Sequence, residues 1–166
     1  PEECTDSRRI PNPRGNVLGG SSSSNGLLYV RGQHQDYDHW AQMGCTGWSF
    51  EQGLPHFKRA ENFERGGDEF RGSGGPLNVQ DMPSNAEVVD AWIDAGDPAV
   101  SPRNGDYNGA TQEGYRYDPV TQTNGHSGST AKAYLDTAVI SPTPPLTPRA
   151  RLPPARCEAQ ARGAGE

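Results

Sequence analysis

The chain has 166 residues, of which only 31% are hydrophobic, and its formal net charge at pH 7 is -6. Because binding to a polyanion requires a basic surface, this acidic balance argues against a nucleic-acid partner. No apolar run approaches the roughly 18 residues that cross a bilayer, so no transmembrane segment is predicted. The low apolar content and the 21 glycines predict that the chain alone is neither a stable domain nor an active enzyme.

The N-terminal part of the chain is predicted to be irregular up to residue 13 and to form a loop at residues 19–25, which read GGSSSSN. Runs of glycine and serine are typical of flexible linkers. This run lies between the apolar segments 17–18 and 27–30, which favours a loop held between buried segments. Residues 26–32 fit either a short strand or the start of a helix. Because the chain begins with Pro1, we interpret it as an internal piece of a longer protein.

Two helices are predicted next. Residues 36–44 read DYDHWAQMG, where aromatic and apolar residues recur at helical spacing before a glycine that ends the helix. The second helix follows Ser49, a favourable N-cap residue, and extends to residue 63. Since Pro55 is disfavoured inside a helix, we expect a short turn after Ser49 and a main helix with Pro55 in its first turn. Three apolar residues of this segment share one face: Phe50, Leu54 and Phe57.

Glycines at residues 66–75 predict a loop that leads into a short strand at residues 77–79. Ser84 and Glu87 then form a capping box at the start of a third helix, which Gly96 and Pro98 end. Its predicted apolar stripe has four members: Val88, Val89, Trp92 and Ile93.

Residues 104–129 are predicted to be loop and short extended structure. A final helix begins at Ser129 or Thr130, and we expect three of its residues to face inward: Ala133, Tyr134 and Ala138. From residue 141 onward the chain is rich in proline, alanine and arginine without any periodicity. We therefore predict a disordered or anomalous tail at residues 141–166.

The scattered polar residues predict neither acid–base catalysis nor a metal site. Four histidines are interpreted as solvated or hydrogen-bonding side chains: His34, His39, His56 and His126. Four acidic residues are interpreted as a solvated surface: Glu61, Glu64, Asp68 and Glu69. Three cysteines at wide spacing form neither a disulfide framework nor a metal motif, which favours a reducing, cytoplasmic compartment. Membrane association of the intact protein stays open.

The glycine–serine loop is the remaining candidate site. The pyrophosphate of a nucleotide cofactor binds backbone N–H groups at close range, and a Cβ atom would obstruct that approach. Paired glycines followed by serine hydroxyls suit such a group, although linkers and turns also contain this sequence. The chain has no complete GxGxxG motif, so a self-contained Rossmann site is excluded.

Eight motifs occur in a fixed order along the chain: PRGNVLGGSSSSN, YVRG, DYDHW, GWS, LPHF, GGPLNV, DYNGATQEGY and STAKAYL. With them, residues 8–140 closely resemble the glucose–methanol–choline (GMC) family of flavin oxidoreductases. The resemblance implies an α+β fragment that contains part of the FAD-binding domain and part of the substrate domain and lacks the N-terminal Rossmann βαβ unit. It divides the chain into an FAD-binding segment (1–45), a helical and substrate-domain portion (46–140) and the tail.

By the same resemblance, the intact enzyme would oxidise the CH–OH group of an alcohol, choline or another primary or secondary alcohol, by hydride transfer to FAD. The electron acceptor stays unknown, and the family's catalytic histidine lies beyond this chain. Some members attach flavin covalently through a histidine where this chain has Ser24, so non-covalent FAD is expected. Nine residues would line FAD: Val17, Gly19, Gly20, Ser21, Ser22, Asn25, Gly26, Leu27 and Leu28.

The chain departs from the family pattern at three places. Asn16 replaces a lysine, the sequence around His126 lacks an arginine, and the tail after Ile140 does not continue the expected strand. That tail is compatible with a shifted reading frame. Two alternatives to the enzyme fragment therefore stay open, a non-catalytic acidic binding module and a truncated gene product without function.

Overall fold

The computed structural model describes residues 11–83, 86–96 and 102–139. The predictions for residues 1–10, Ser84, Pro98 and the tail lie outside the described residues. None of the described helices is long and apolar enough to cross a membrane. In chain order the elements are a 3-10 turn (Gly20–Ser23), α1 (His34–Gln42), α2 (Phe50–Ala60), β1 (Glu61–Phe63), β2 (Leu77–Val79), α3 (Glu87–Asp94), β3 (Gln122–Thr123), β4 (His126–Ser127), a π-helical turn (Ala131–Leu135) and α4 (Asp136–Val139).

Helix α1 begins with a reciprocal cap, in which the Gln33 N–H donates to the Asp36 carboxylate at 2.8 Å. Gly44 follows the helix at φ +101°, a left-handed conformation that favours glycine. The predicted helix and its glycine stop are confirmed. Tyr37 packs its ring edge-on against Phe57 of α2, with ring centroids 5.7 Å apart, so the two helices share an aromatic contact.

Helix α2 begins after Ser49, whose hydroxyl accepts a backbone N–H of the first turn at 3.4 Å, so the predicted N-cap is confirmed. The predicted break at Pro55 is wrong, since one continuous helix runs from Phe50 to Ala60 with the proline inside it. Proline removes one backbone hydrogen bond, a cost that packing of the aromatic face offsets. The predicted continuation to residue 63 is also wrong, because Glu61–Phe63 pair with β2.

Strands β1 and β2 pair in parallel, with Glu61 opposite Leu77, and the predicted strand at residues 77–79 is confirmed. One residue beyond β2, Gln80 and Val120 exchange two backbone hydrogen bonds of 3.0 and 2.8 Å. Val120 forms a second antiparallel bridge, to Leu28. The extended segments around Leu28 and Val120 and the strands β2 and β1 therefore lie side by side in that order. This arrangement fixes the segment around Leu28 against the small sheet.

Helix α3 starts at Glu87, and its N-cap residue is Ala86, which has no side-chain oxygen. Glu87 therefore occupies the first helical position and not the third that a capping box requires, so this part of the prediction is wrong, while Ser84 lies outside the described residues. Of the predicted apolar stripe only Ile93 is buried, and the other three side chains are exposed. Trp92 contacts the Tyr115 ring edge-on, with centroids 5.2 Å apart.

The last described segment contains the hairpin β3–β4 and then the final helix, which starts as a π-helical turn. Ser129 Oγ accepts the Lys132 N–H at 3.4 Å, as predicted for a cap at this residue. Ala133 is half-buried, but Tyr134 and Ala138 are exposed, so their predicted inward position is wrong. The wider π-helical turn rotates side chains away from the positions that α-helical spacing gives them.

The buried hydrophobic core of the described residues is small. It consists of Phe63, Val79, Ile93 and Val120. Such a core buries little apolar surface against a chain entropy of about 1–2 kcal/mol per ordered residue. This observation supports the expectation that the chain alone is not a stable domain, which stays a prediction.

Candidate functional site

Residues 19–25, here called the glycine–serine turn, form a closed turn around a 3-10 helical segment. Gly19 and Gly20 have φ values of +85° and +57°, which glycine adopts without steric cost. The Gly20 N–H donates to the Val17 carbonyl at 2.8 Å, and the Ser22 N–H donates to the Gly19 carbonyl at 3.2 Å. The predicted loop is confirmed, and its internal hydrogen bonds give it one definite shape, unlike a flexible linker.

The serine hydroxyls of the turn bond to the chain itself. Ser21 and Ser23 bond to backbone groups that precede the turn, at 3.0 and 2.7 Å. Ser22 Oγ donates to the Gly19 carbonyl at 2.6 Å and accepts the Thr130 N–H at 3.0 Å. These hydroxyls, which the sequence motif offered to a ligand, therefore fix the shape of the turn and join it to the start of the final helix.

The glycines of the turn face two different environments. A Cβ atom on Gly19 would lie 2.5 Å from Ser23 Oγ and 3.2 Å from Ala131 Cβ, so the fold itself requires glycine there. A Cβ atom on Gly20 would meet nothing within 4 Å. Gly20 thus leaves its backbone open to close approach by a ligand, while its N–H is bonded to the Val17 carbonyl. Binding of a cofactor pyrophosphate at this turn stays a prediction.

The chain leaves the turn through a strained bend at Leu27, which has φ +64° although it carries a side chain. Asn25 supports the bend, because its Oδ1 accepts the Leu27 N–H at 3.1 Å. The Leu27 carbonyl accepts the Thr121 N–H at 2.8 Å. Only Leu28 forms a β-bridge here, so residues 26–32 are neither the regular strand nor the helix start that the sequence predicted.

Exposed apolar side chains flank the turn in sequence, and they are here called the apolar patch. Its members are Val17 (60% exposed), Leu18 (69%), Leu28 (55%) and Val30 (46%). Exposed apolar groups in such number are typical of ligand grooves and protein interfaces. All nine residues predicted to line FAD belong to the turn, to this patch or to the bend between them, and their contact with FAD stays a prediction.

A buried arginine–carboxylate network starts at Arg31, directly after the patch. Arg31 pairs with Glu61 at 2.7 Å, and Glu61 pairs with Arg71 at 2.8 Å. Arg71 pairs in turn with Asp106 at 3.2 Å, which Arg116 also contacts at 3.3 Å. The network therefore joins the turn segment to the α2–β1 junction and to the DYNG motif.

The prediction that Glu61 belongs to a solvated acidic surface is wrong, because this residue is fully buried. Burial raises the pKa of Glu61, while the Gly72 N–H and the two guanidinium groups lower it in part. Burial lowers the pKa of Arg71, and Glu61 and Asp106 oppose that change. Burial, together with Glu61, raises the pKa of Tyr29. Desolvation thus disfavours each charge, and pairing is what makes their burial possible.

The histidines give no catalytic cluster within the described residues. His34 stacks on Phe50 with ring centroids 3.5 Å apart, beside a cavity of about 180 Å³. Its Nε2 is buried and has no hydrogen-bond partner among the described residues. The other three histidines are exposed, as expected. The described ranges hold no group of His, Cys, Asp and Glu side chains that could bind a metal ion.

Comparison with known proteins decides the family. A family model described as GMC oxidoreductase matches residues 2–144. The chain belongs to the GMC oxidoreductase family. Among curated GMC relatives, it is 47% identical over 142 residues to an oxygen-dependent choline dehydrogenase of Photobacterium profundum, covering 84% of this chain. A second oxygen-dependent choline dehydrogenase, from Sinorhizobium fredii, is 44% identical over 142 residues, covering 86% of this chain.

Solved structures share the fold of this GMC chain. Pyridoxine 4-oxidase from Mesorbium loti matches with a TM-score of 0.69 and 30% identity, over 77% of this chain and 26% of that one. An FAD-dependent oxidoreductase from Chaetomium thermophilum matches in fold with a TM-score of 0.71 at 24% identity, over 78% of this chain and 24% of that one. The chain spans 25% and 26% of the two curated relatives, so it corresponds to about a quarter of such proteins.

Proposed function

We propose that this GMC chain forms part of the cofactor-binding wall of an FAD-dependent enzyme that oxidises an alcohol CH–OH group to an aldehyde or ketone. The observation that carries the proposal is the bare backbone at Gly20, which faces open space next to the exposed apolar patch. A backbone without a Cβ atom allows close approach of a pyrophosphate, and a flavin ring requires apolar contact, so FAD matches this pair of surfaces. Bound FAD supplies the acceptor for the hydride of the alcohol.

The chain's own residues bind and orient the cofactor in this proposal. Val17, Gly19 and Gly20, with Ser21 and Ser22, would lie along the pyrophosphate, where the serine hydroxyls would act indirectly by holding the turn in shape. Backbone atoms of residues 25–28 and the Leu28 side chain would contact the flavin ring. No described residue of this chain is assigned to proton transfer.

The substrate belongs to the alcohols, and choline is the first candidate. Two relatives that share more than two fifths of the aligned residues are named as choline dehydrogenases, which supports this choice.

The decisive experiment uses the full-length protein that contains this chain. FAD binding is measured by quenching of flavin fluorescence, and alcohol oxidation by reduction of an artificial dye with choline as the substrate. The neutral isostere 3,3-dimethylbutan-1-ol is the matched control for the cationic headgroup. Failure to retain FAD, or retention of FAD without dye reduction by any alcohol, would contradict the proposal.

The absence of a histidine at position 24 gives a separate prediction about how FAD is attached. Ser24 stands where some relatives carry the linking residue, and its hydroxyl lacks the basic nitrogen of an imidazole. Acid precipitation of the holoenzyme is therefore expected to release all of the FAD into the supernatant. Absorbance of supernatant and pellet measures the outcome, with flavin content before precipitation as the reference. A yellow pellet that keeps its flavin after washing would show a covalent bond.

A further inference from the structure

We propose that Asn108 is a positioning residue for the segment that faces the cofactor, residues 27–31. The inference rests on the proposed function. It assigns a positioning role to a side chain that is part of neither the glycine–serine turn nor the apolar patch. Asn108 lies in the DYNG motif, 77 residues further along the chain than Arg31, its hydrogen-bond partner.

Both ends of the Asn108 amide bond to the backbone of this segment. Nδ2 donates to the Tyr29 carbonyl at 2.9 Å, and Oδ1 accepts the Arg31 N–H at 2.7 Å. A neighbouring parallel strand makes the same pair of bonds, to the carbonyl of one residue and the N–H two residues later. Asn108 is only 3% exposed, so water cannot replace either bond. One side-chain amide thus takes the place of a strand.

The same edge of the segment is held by backbone at the residues just before. The Tyr29 N–H donates to the Pro119 carbonyl at 2.8 Å, and the Thr121 N–H donates to the Leu27 carbonyl at 2.8 Å. Because the N–H and C=O of one residue in extended backbone point to the same edge, Asn108 continues the row of hydrogen bonds that Pro119 and Thr121 begin. Loss of Asn108 would end this row at the Tyr29 N–H and remove the partners of the Tyr29 carbonyl and the Arg31 N–H.

Asn108 is itself anchored to the buried network. Its own N–H donates to Asp106 Oδ1 at 3.0 Å, and that carboxylate pairs with Arg71 and Arg116. Gln112, from the same motif, adds a bond from Nε2 to the Arg31 carbonyl at 2.5 Å. The position of the segment is thus set by a rigid set of buried charges rather than by surface contacts.

The alternation of side chains connects this anchor to the cofactor face. Arg31 is buried and Tyr29 is half-buried, whereas Leu28 is 55% exposed and Val30 is 46% exposed. In extended backbone, residues of one parity point to one side. A shift of the edge that Asn108 holds would therefore move Leu28 and Val30, the apolar contacts proposed for the flavin ring.

The test compares Asn108→Ala and Asn108→Asp with Asn78→Ala in the full-length protein. Asn108→Asp keeps the shape and the acceptor for the Arg31 N–H, but it places a carboxylate oxygen against the Tyr29 carbonyl. Asn78 is the matched control, because it also bridges chain segments through its amide, to Asn62 at 2.7 Å and Thr123 at 2.9 Å. The measurements are the FAD dissociation constant, the flavin absorption spectrum and amide hydrogen exchange of residues 27–31 in the FAD-free protein.

Both Asn108 variants are expected to weaken FAD binding by about tenfold, the effect of one buried hydrogen bond. They should also shift the flavin absorption bands and speed exchange in residues 27–31. Asn78→Ala should lower Tm and leave the FAD affinity and the spectrum as in the wild type. Unchanged FAD affinity in a folded Asn108→Asp variant would overturn the inference, as would an equal loss in Asn78→Ala. A wild-type protein that binds no FAD would instead overturn the proposed function.

Discussion

Replacement of Glu61 by alanine is expected to lower the free energy of unfolding of the full-length protein by about 3–5 kcal/mol. Glu61 is the carboxylate that neutralises Arg31 and Arg71, at 2.7 and 2.8 Å. Its removal leaves two guanidinium groups in the interior with one partner fewer each, and the Gly72 N–H without its acceptor at 2.9 Å. Natural domains are stable by only about 5–15 kcal/mol, so a loss of this size would sharply reduce the amount of folded protein.

Chemical denaturation of purified holoenzyme measures this effect, with Glu69→Ala as the control. Glu69 has the same charge and lies eight positions away on the exposed loop, where the hydrogen bond described for it uses only its backbone carbonyl. The control should change the free energy of unfolding by less than about 0.5 kcal/mol. A Glu61→Ala variant as stable as Glu69→Ala would show that the buried charges do not depend on one another.

Replacement of Gly20 by alanine is expected to weaken FAD binding by about 10- to 100-fold. The added methyl group contacts no atom of the chain within 4 Å, so the loss would come from obstruction of the cofactor. Alanine also costs about 1 kcal/mol at a φ of +57°, because the left-handed conformation is unfavourable for a residue with a Cβ atom. That cost lowers the free energy of unfolding, and it must be separated from the effect on FAD binding.

Gly74→Ala separates the two effects. Gly74 has φ +77°, and a Cβ atom there also meets nothing within 4 Å, so alanine carries the same conformational cost away from the glycine–serine turn. Both variants should lose similar amounts of thermal stability in the FAD-free protein, whereas only Gly20→Ala should lose FAD affinity. Equal FAD dissociation constants for the two variants would mean that the pyrophosphate does not approach Gly20.

The glycine–serine turn shows how far sequence reasoning reaches in this chain. Local rules identified the loop, the Ser49 cap, the glycine after α1 and the strand at residues 77–79, because each depends on nearby residues alone. The family motifs identified the candidate cofactor segment. Sequence alone could not tell that Gly19 packs against the chain while Gly20 faces outward, since that difference comes from contact with residue 131.

The buried charged network could not be predicted from the sequence. Glu61 follows a helix rich in charged residues, and nothing in the residues next to it distinguishes it from an exposed acid. Its partners are 30 and 10 positions away in sequence, at Arg31 and Arg71, and only the fold brings them together. The motifs YVRG and DYNG each contain a charged residue, Arg31 and Asp106, and nothing in the motifs themselves shows that they meet. The hydrogen bond from the Arg31 N–H to Asn108 joins them in the fold.

The hydrogen bonds between the glycine–serine turn and Thr130 have a consequence for biosynthesis. Ser22 and Thr130 are 108 positions apart, and Leu27 and Thr121 are 94 apart, so the turn depends on partners that the ribosome makes much later. Closing such long loops carries an entropic cost before any contact is gained, which slows folding. The nascent polypeptide must therefore emerge as far as the final helix before this region can hold its shape.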